Sequence, residues 1–387
     1  MKQLLIVGGG AIGSAIAYFL ASNYPGHWQI TVLERDPAYT FASSALSASS
    51  IRQQFSQPVN IQMSAYGWWF LQQAHQALAL GDDQPDLQLQ QRAYAYLASN
   101  QAAAEILRHK QSIQLAAGAQ IALLTPEQLA LRFPWLYCGD LELASLGLAN
   151  EGWFDGYALL MAFKNKARQL GVRYVQGEAL AWRAQGRQLS GVELADGKHL
   201  QADCFINAAG AWAAKIADPS GFTLPISARR RTVFVLSSPA RTPDSPLLID
   251  PTGLWCRPEG KYWICGLPSE ADPDDMPLEP DYSQWQTVWE ILAHRIPAMS
   301  ALRMERAWAG YYEMNTFDQN GLLGWHPQFE NLWLACGFSG HGLQHAPALG
   351  LASAEYLQTG AFQTLDLSAL SPRRILTQQA LLELNVI

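Results

Sequence analysis

Leu4–Ala21 reads LLIVGGGAIGSAIAYFLA, and the fold turns on this stretch. A short apolar run ends at Val7, glycines stand at Gly8, Gly10 and Gly13, and small and apolar residues then recur at helical spacing. β-type residues return in HWQITVLER, which places the end of a second strand at Glu34. Strand, turn, helix and strand make one βαβ unit with a right-handed crossover. Gly8 permits the tight turn, Gly10 lets the backbone approach a pyrophosphate, and Gly13 lets helix and strand pack closely. The anion then meets the unpaired N–H groups and the positive dipole end of the helix that opens at Ala11 and Ile12. Glu34, twenty-one residues after Gly13, is placed to accept hydrogen bonds from both hydroxyls of an adenosine ribose. A carboxylate there disfavours a 2′-phosphate, although Arg35 beside it works the other way.

The 387 residues give room for two medium domains or one large elaborated one. A hydrophobic fraction of 49% and a charged fraction of 15% describe a well-buried globular chain. The net charge of −7 excludes a nucleic-acid partner held by phosphate neutralisation. Arg229, Arg230 and Arg231 form the basic cluster, read as a solvated strand end or an anion site. The five cysteines are widely spaced without a CxxC, so neither a zinc ribbon nor a dithiol pair is indicated, and a reduced, cytoplasmic setting is expected. No apolar run approaches the roughly 20 residues that span a bilayer, and the N-terminal run is too short for a signal peptide.

Along the chain, the pattern between Tyr66 and Leu123 is mostly helical, and TPEQLALRFPWL predicts a helix capped by Thr125. A helix over about 157–170 is predicted to close at Gly171, and a hairpin to turn at Asp196-Gly197. RRRTVFVLSS, LWCRPEGKYWICGLP and RMERAWAGYYEMN read as strands. The expected class is α/β: a discontinuous Rossmann-type domain from 1–85, 146–225 and 321–387. A second, β-rich α+β substrate domain is expected over 86–145 and 226–320.

Two further stretches bear on the cofactor. RDPAYTFASSALSASSIRQQFSQP follows Glu34 and is rich in serine and small residues up to Arg52, where a plain NAD domain would resume another βα unit. Such a loop suits the bulkier, extended FAD. CGFSGHGLQHAPALG, Cys336–Gly350, is a second glycine-rich turn running into a helix that Gly360 closes. Its N–H groups and helix dipole suit the negative charge of a reduced flavin.

LIVGGGAIGSAIAYFLA with VLERD, SIRQQFS, FINAAGAWA and NLWLACGFSGHGLQHAP together resemble the D-amino-acid oxidase superfamily of flavoproteins. They are most like its sarcosine oxidase, glycine oxidase and dimethylglycine dehydrogenase branch. The resemblance implies FAD in an extended conformation, with the ribose on Glu34 and the pyrophosphate over Gly8 to Gly13. It places Ser43, Ser44 and the loop Ser47, Ala48, Ser49, Ser50, Ile51 and Arg52 beside the pyrophosphate and ring. Ala179 or Leu180 would contact adenine, and Ala209, Gly210 and Trp212 would line the cofactor. Gly337, Phe338, Ser339, Gly340, His341, Gly342, Leu343 and Gln344 would lie along the pyrimidine side of the flavin.

This sequence departs from the branch at two points. Where some relatives attach FAD through a cysteine, the matching position is near Tyr311, and the N-terminal loop lacks the histidine others use, so FAD is expected to be noncovalent. Where sarcosine oxidases hold the substrate carboxylate with a lysine, this chain has Gln344. Arg52, Arg257 and the Arg229–Arg231 run remain as cationic candidates, and Trp255, Tyr262, Tyr311 and Tyr312 as substrate walls. The expected activity is oxidation of the C–N bond of a small amine or amino acid by hydride transfer to flavin N5. Oxygen or an electron carrier would be the acceptor. A 2-hydroxy-acid dehydrogenase with His341 as base, and a flavin-bearing scaffold or assembly factor without turnover, are the alternatives. For His341 a hydrogen-bonding contact to the flavin is the expected role.

Overall fold

The protein is described by a computed structural model over residues 1–269 and 273–384. The opening run forms the strand Lys2–Val7, near the middle of a six-stranded sheet. The order across that sheet is Leu322–Trp325, Leu332–Cys336, Cys204–Asn207, Lys2–Val7, Trp28–Glu34, Arg173–Gln176. Neighbours run parallel, except that Leu322–Trp325 lies antiparallel to Leu332–Cys336 at one edge.

Both faces of the sheet are covered, which is why its strands read as unbroken apolar runs. Leu4 and Ile6 pack into a core with Ala15, Ile16 and Trp333, beneath the helices Ala11–Asn23, Gly156–Gln169 and Gly342–Thr359. Leu5 and Val7 point the other way, into a core with Trp182, Val192 and Phe205. That second cover is a three-stranded antiparallel sheet of Ala179–Gln185, Gln188–Leu194 and His199–Leu200, its hairpin turning at Gly197 as expected.

An eight-stranded sheet makes the β-rich part. Its order is Arg303–Asn315, Ile226–Ser237, Tyr262–Gly266, Trp255–Glu259, Leu247–Ile249, Tyr94–Ala98, Leu143–Gly147, Ile121–Leu124. Phe234, Leu248, Cys256 and Cys265 face a core closed by the helices Pro126–Arg132 and Trp285–Arg295. Thr125 caps the first of these helices in a capping box: its side chain accepts from the Gln128 N–H at 3.3 Å, and Gln128 accepts from the Thr125 N–H at 2.9 Å. The architecture is therefore α/β, a Rossmann-type unit with a β-rich second unit.

The helical reading of 66–123 needs correction. The helices Pro58–Ala77 and Gln101–Ala116 are separated by the strand Tyr94–Ala98, and Ile121–Leu124 is a strand too. Every residue of YAYLA in Tyr94–Ala98 is buried, so the alternation that marks a half-exposed strand is missing. Leu143–Gly147 also crosses the boundary expected at 145 and belongs wholly to the eight-stranded sheet.

Candidate cofactor cleft and active site

Gly8 has φ +101°, and a Cβ there would overlap the Ala208 carbonyl of the neighbouring strand. A Cβ on Gly13 would overlap the Gly8 carbonyl, so both glycines are required by close approach of backbone to backbone. The turn delivers the first residues of the helix Ala11–Asn23 to the floor of a cleft, where the Ala11 N–H meets Ser44 Oγ at 3.1 Å. Glu34 closes one side. Its two oxygens accept from the Gly9 N–H at 2.8 Å and the Asp36 N–H at 2.9 Å, which fixes the carboxylate while it lines the cleft. Burial raises its pKa, and those two N–H bonds and the Arg35 charge oppose the rise.

The half of the cleft expected to take adenosine is lined by Gly8, Gly10, Glu34, Arg35, Ala179, Leu180, Ala209, Gly210 and Trp212. The Arg35 guanidinium lies 3.7 Å above the Trp212 ring. The other half is lined by Ser47, Ala48, Gly340, Gly342 and Leu343, with Arg231, Trp255, Tyr311 and Tyr312 beyond them. Ala11, Ile12, Ser43, Ser44 and Glu313 border both halves, so the cleft is continuous past the helix N-terminus. Bare backbone at Gly10, Gly210 and Gly342 along this path fits an extended dinucleotide such as FAD. Its ribose would meet Glu34 and its diphosphate the N–H groups at the start of the first helix.

Not every residue of the expected set turns toward the cleft. The Phe338 ring is fully buried against Gly321, and Ser339 Oγ accepts from the Asn315 N–H at 2.9 Å, so both side chains hold the second glycine turn from behind. Ile51 is also wholly buried and packs near Gly67. The largest correction concerns His341. Its ring lies under the turn, 5.3 Å from Phe55 and 5.2 Å from His345, and does not line the cleft. Burial, His345 and Arg52 hold its pKa well below the ordinary histidine value, so the ring is neutral. The backbone of the turn approaches the cleft, and the imidazole packs away from it because Phe55 and His345 offer an apolar, aromatic seat.

A smaller hollow opens off the other half, the one expected to take the flavin, and shares Ser47, Ala48, Trp255, Tyr312, Gly340 and Leu343 with it. Arg52 and Gln344 line it together with Tyr94, Leu247 and Ile249. Gln344 Oε1 accepts from the Arg52 N–H at 2.8 Å, and the Arg52 guanidinium rests 4.4 Å from the Phe55 ring. Glu151, fully buried, anchors the next residues: it accepts from the Gln53 N–H at 2.8 Å, from Gln54 Nε2 at 3.1 Å and from the Tyr94 N–H at 3.1 Å. Burial pushes its pKa up to about 7 against those bonds.

Arg257 is placed elsewhere. It donates to the Ala48 carbonyl at 2.6 Å, pairs with Glu259 and stacks 4.9 Å from the Trp153 ring, in a separate surface cleft that also contains Tyr262. Trp255 and Arg257 share one face of the strand Trp255–Glu259, and Arg257, two residues further along, reaches the Ala48 carbonyl and the Trp153 ring. Tyr311 lines the cleft, and its hydroxyl donates to the Met276 carbonyl at 2.6 Å. Arg229 and Arg230 are paired with Asp274 and Asp281, which fits neither a wholly solvated strand end nor a ready anion site.

Glu313 and Glu151 escaped the reading of the sequence. The signal for Glu313 is an acid at an inward position of the otherwise apolar and aromatic strand segment GYYEMN. Glu151 sits in a loop and carries no local signal at all.

A family model described as FAD dependent oxidoreductase matches residues 3–356. The chain belongs to that family. It is 41% identical to FAD-dependent oxidoreductase domain-containing protein 1 of Xenopus laevis over all of this chain and 85% of the relative. The Bos taurus protein of the same description is 40% identical, over 95% of this chain and 83% of its own length. Among solved structures, the L-proline dehydrogenase from P. horikoshii superposes with a TM-score of 0.86 at 24% identity, covering 98% of this chain and 99% of the other. Glycine oxidase from Geobacillus kaustophilus gives 0.81 at 19% identity, covering 96% and 98%. At such identities these two likenesses speak for the fold. For this FAD-dependent oxidoreductase family member, the cleft between the two glycine turns is the candidate cofactor site. Among the described residues no helix is long and apolar enough to cross a membrane, and no group of three or more His, Cys, Asp or Glu is placed to hold a metal ion.

Proposed function

We propose that the protein oxidises the C–N bond of a small amine or amino acid, secondary, N-methyl or D-configured, using noncovalently held FAD. The observation that carries this reading is the hollow beside the flavin half of the cleft, where Arg52 stands among Tyr94, Tyr312, Trp255, Leu247 and Ile249. When bound, FAD supplies the acceptor for a hydride. Arg52 takes the substrate carboxylate, and Gln344 and Glu151 hold its segment in place. The aromatic and aliphatic walls exclude water and orient the C–H bond next to nitrogen toward the cleft. That bond breaks with both electrons leaving as hydride, and water hydrolyses the resulting C=N bond. Oxygen or an electron carrier then takes up the electrons.

Noncovalent attachment is supported by Tyr311, whose hydroxyl is engaged by the Met276 carbonyl near the position where some relatives of the branch carry cysteine. The hydroxy-acid alternative loses its base, since the His341 ring faces Phe55 and His345. Sheet membership supports a division into 1–85, 148–225 and 321–387 against 86–147 and 226–320. A reduced, cytoplasmic setting accords with the five unpaired, buried cysteines.

The test is anaerobic mixing of the yellow holoprotein with N-methyl, D- and L-amino acids and 2-hydroxy acids. Bleaching by an amine or amino acid supports the proposal. Bleaching by hydroxy acids alone overturns it, and a yellow protein bleached by nothing in the panel favours a flavin-bearing scaffold. Peroxide formed in air distinguishes oxygen from a carrier as acceptor.

A further inference from the structure

We propose that Glu313 is a proton-carrying wall of the cofactor cleft, so that loading FAD takes up one proton at this carboxyl. The inference rests on the FAD reading of the cleft and extends it to a residue to which that reading gives no role.

Glu313 lies on the strand Arg303–Asn315 and borders both halves of the cleft. It stands where two glycine-bearing segments meet. Its Oε2 accepts from the Gly337 N–H at 3.0 Å, a Cβ on Gly342 would come to 3.1 Å from its Oε1, and one on Gly210 to 3.7 Å from Oε2. A dinucleotide spanning the cleft must pass this carboxyl, and its diphosphate carries negative charge at every physiological pH. A second buried anion on the same path is electrostatically unfavourable unless it is protonated. As a carboxylic acid, Glu313 keeps the Gly337 bond on one oxygen and has an O–H to donate.

Among the described residues, the neighbouring cations are engaged elsewhere and burial outweighs them at Glu313. On the paired strand, where Ala228 is its partner, Arg229 is bound to Asp274 and Arg230 to Asp281, and Arg231 lies 5.0 Å from the Tyr312 ring. On the short helix Gly210–Lys215, Lys215 is bound to Asp275. The first helix, Ala11–Asn23, contains no charged residue. From the second turn the neighbouring titratable groups are the buried Cys336 thiol, raised by burial and by the Glu313 charge, and the neutral His341. Glu34 lies further along the cleft, and Tyr311 and Tyr312 adjoin Glu313 on its own strand. Burial pushes the Glu313 pKa up to about 7, against hydrogen bonds from the turn.

The sign follows from linkage. Binding raises the pKa further, so FAD affinity is highest below about pH 7 and weakens by about tenfold per pH unit above it, until the pKa of the loaded form is reached. Calorimetric titration of the apoprotein with FAD in phosphate and in Tris should show uptake of roughly one proton near about pH 8.5 and almost none near about pH 6. Glu313→Gln, which mimics the protonated acid, should bind FAD with an affinity that no longer falls with pH. Should that variant fail to fold, the wild-type infrared difference spectrum at about pH 8.5 must gain a protonated-carboxyl band on FAD binding. FAD bound without proton uptake, or a Glu313→Gln protein with the wild-type pH slope, overturns the inference and leaves the cofactor reading intact. An apoprotein that binds no FAD at any pH overturns the cofactor reading itself.

Discussion

Gln344 shows how a residue at a ligand-binding position can serve the backbone instead. Its carboxamide oxygen accepts from the buried Arg52 N–H at 2.8 Å, while Ser64 Oγ approaches the same oxygen at 3.4 Å. A lysine at this position could not accept that bond, having donors only. The single residue type thus exchanges a second cation in the hollow for a fixed Arg52. Gln344→Ala should cost about 1–3 kcal/mol in urea unfolding, because it strands a buried donor. Its substrate KM should rise more than its kcat falls, because the anchor is loosened and no reacting group is removed. An unchanged stability would show that Arg52 does not depend on the carboxamide.

At the scale of elements, the first turn is specified by contacts that tolerate no side chain. Gly13→Ala places a methyl group against the Gly8 carbonyl, and overpacking of that kind costs about 3 kcal/mol or more. The variant should unfold at lower denaturant and lose FAD from the yellow protein. For Gly8→Ala, whose methyl would overlap the Ala208 carbonyl, Gly26→Ala serves as control, since both glycines have a positive φ (+101° and +80°) but nothing lies within 4 Å of the methyl added at Gly26. Equal losses in these two variants would mean that backbone conformation, and not the close approach to that carbonyl, sets the requirement at Gly8. Elements with a clear period or cap were legible in this way: the βαβ unit, the start of the helix capped by Thr125 and the strand Arg303–Asn315 stand where the pattern put them, although that helix ends at Arg132, short of Leu136. Tyr94–Ala98 was not, because a strand buried on both faces gives no alternation to read.

For the molecule as a whole, the buried histidines under the second glycine turn link acidity to stability. Burial and the nearby Arg52 charge push the His345 pKa down to about 3, while His345 Nε2 stays 3.0 Å from Ser64 Oγ. The folded value lies below the unfolded value of about 6.5, so the contribution is whole above about pH 6.5 and is lost as the pH falls toward 3. Between about pH 7 and about pH 5 the wild type should lose about 2 kcal/mol more than His345→Gln does in parallel urea titrations. Glu151 and Glu313, raised to about 7, act in the opposite sense over part of this range. Because both proteins carry them, the difference isolates the histidine. Equal pH dependence in the two proteins would place the acid sensitivity elsewhere.

The candidate site divides along the same line. The first glycine turn and Glu34 were readable from sequence, since glycines before a helix and an acid at the end of the next strand are a local pattern. Residue type and spacing put Gly8, Gly10 and Glu34 along one cleft, and the family resemblance did the same for Ala209, Gly210 and Trp212. What only the tertiary structure decided is which side chains face the cleft. Arg52 and Gln344, 292 positions apart, are joined by one hydrogen bond. Arg257 and the His341 ring turn out of the site, and Glu313 turns into it. Those outcomes depend on strand register and on packing partners distant in the chain. A local pattern carries neither, because the energy that selects a side chain's face comes from residues it meets only after folding.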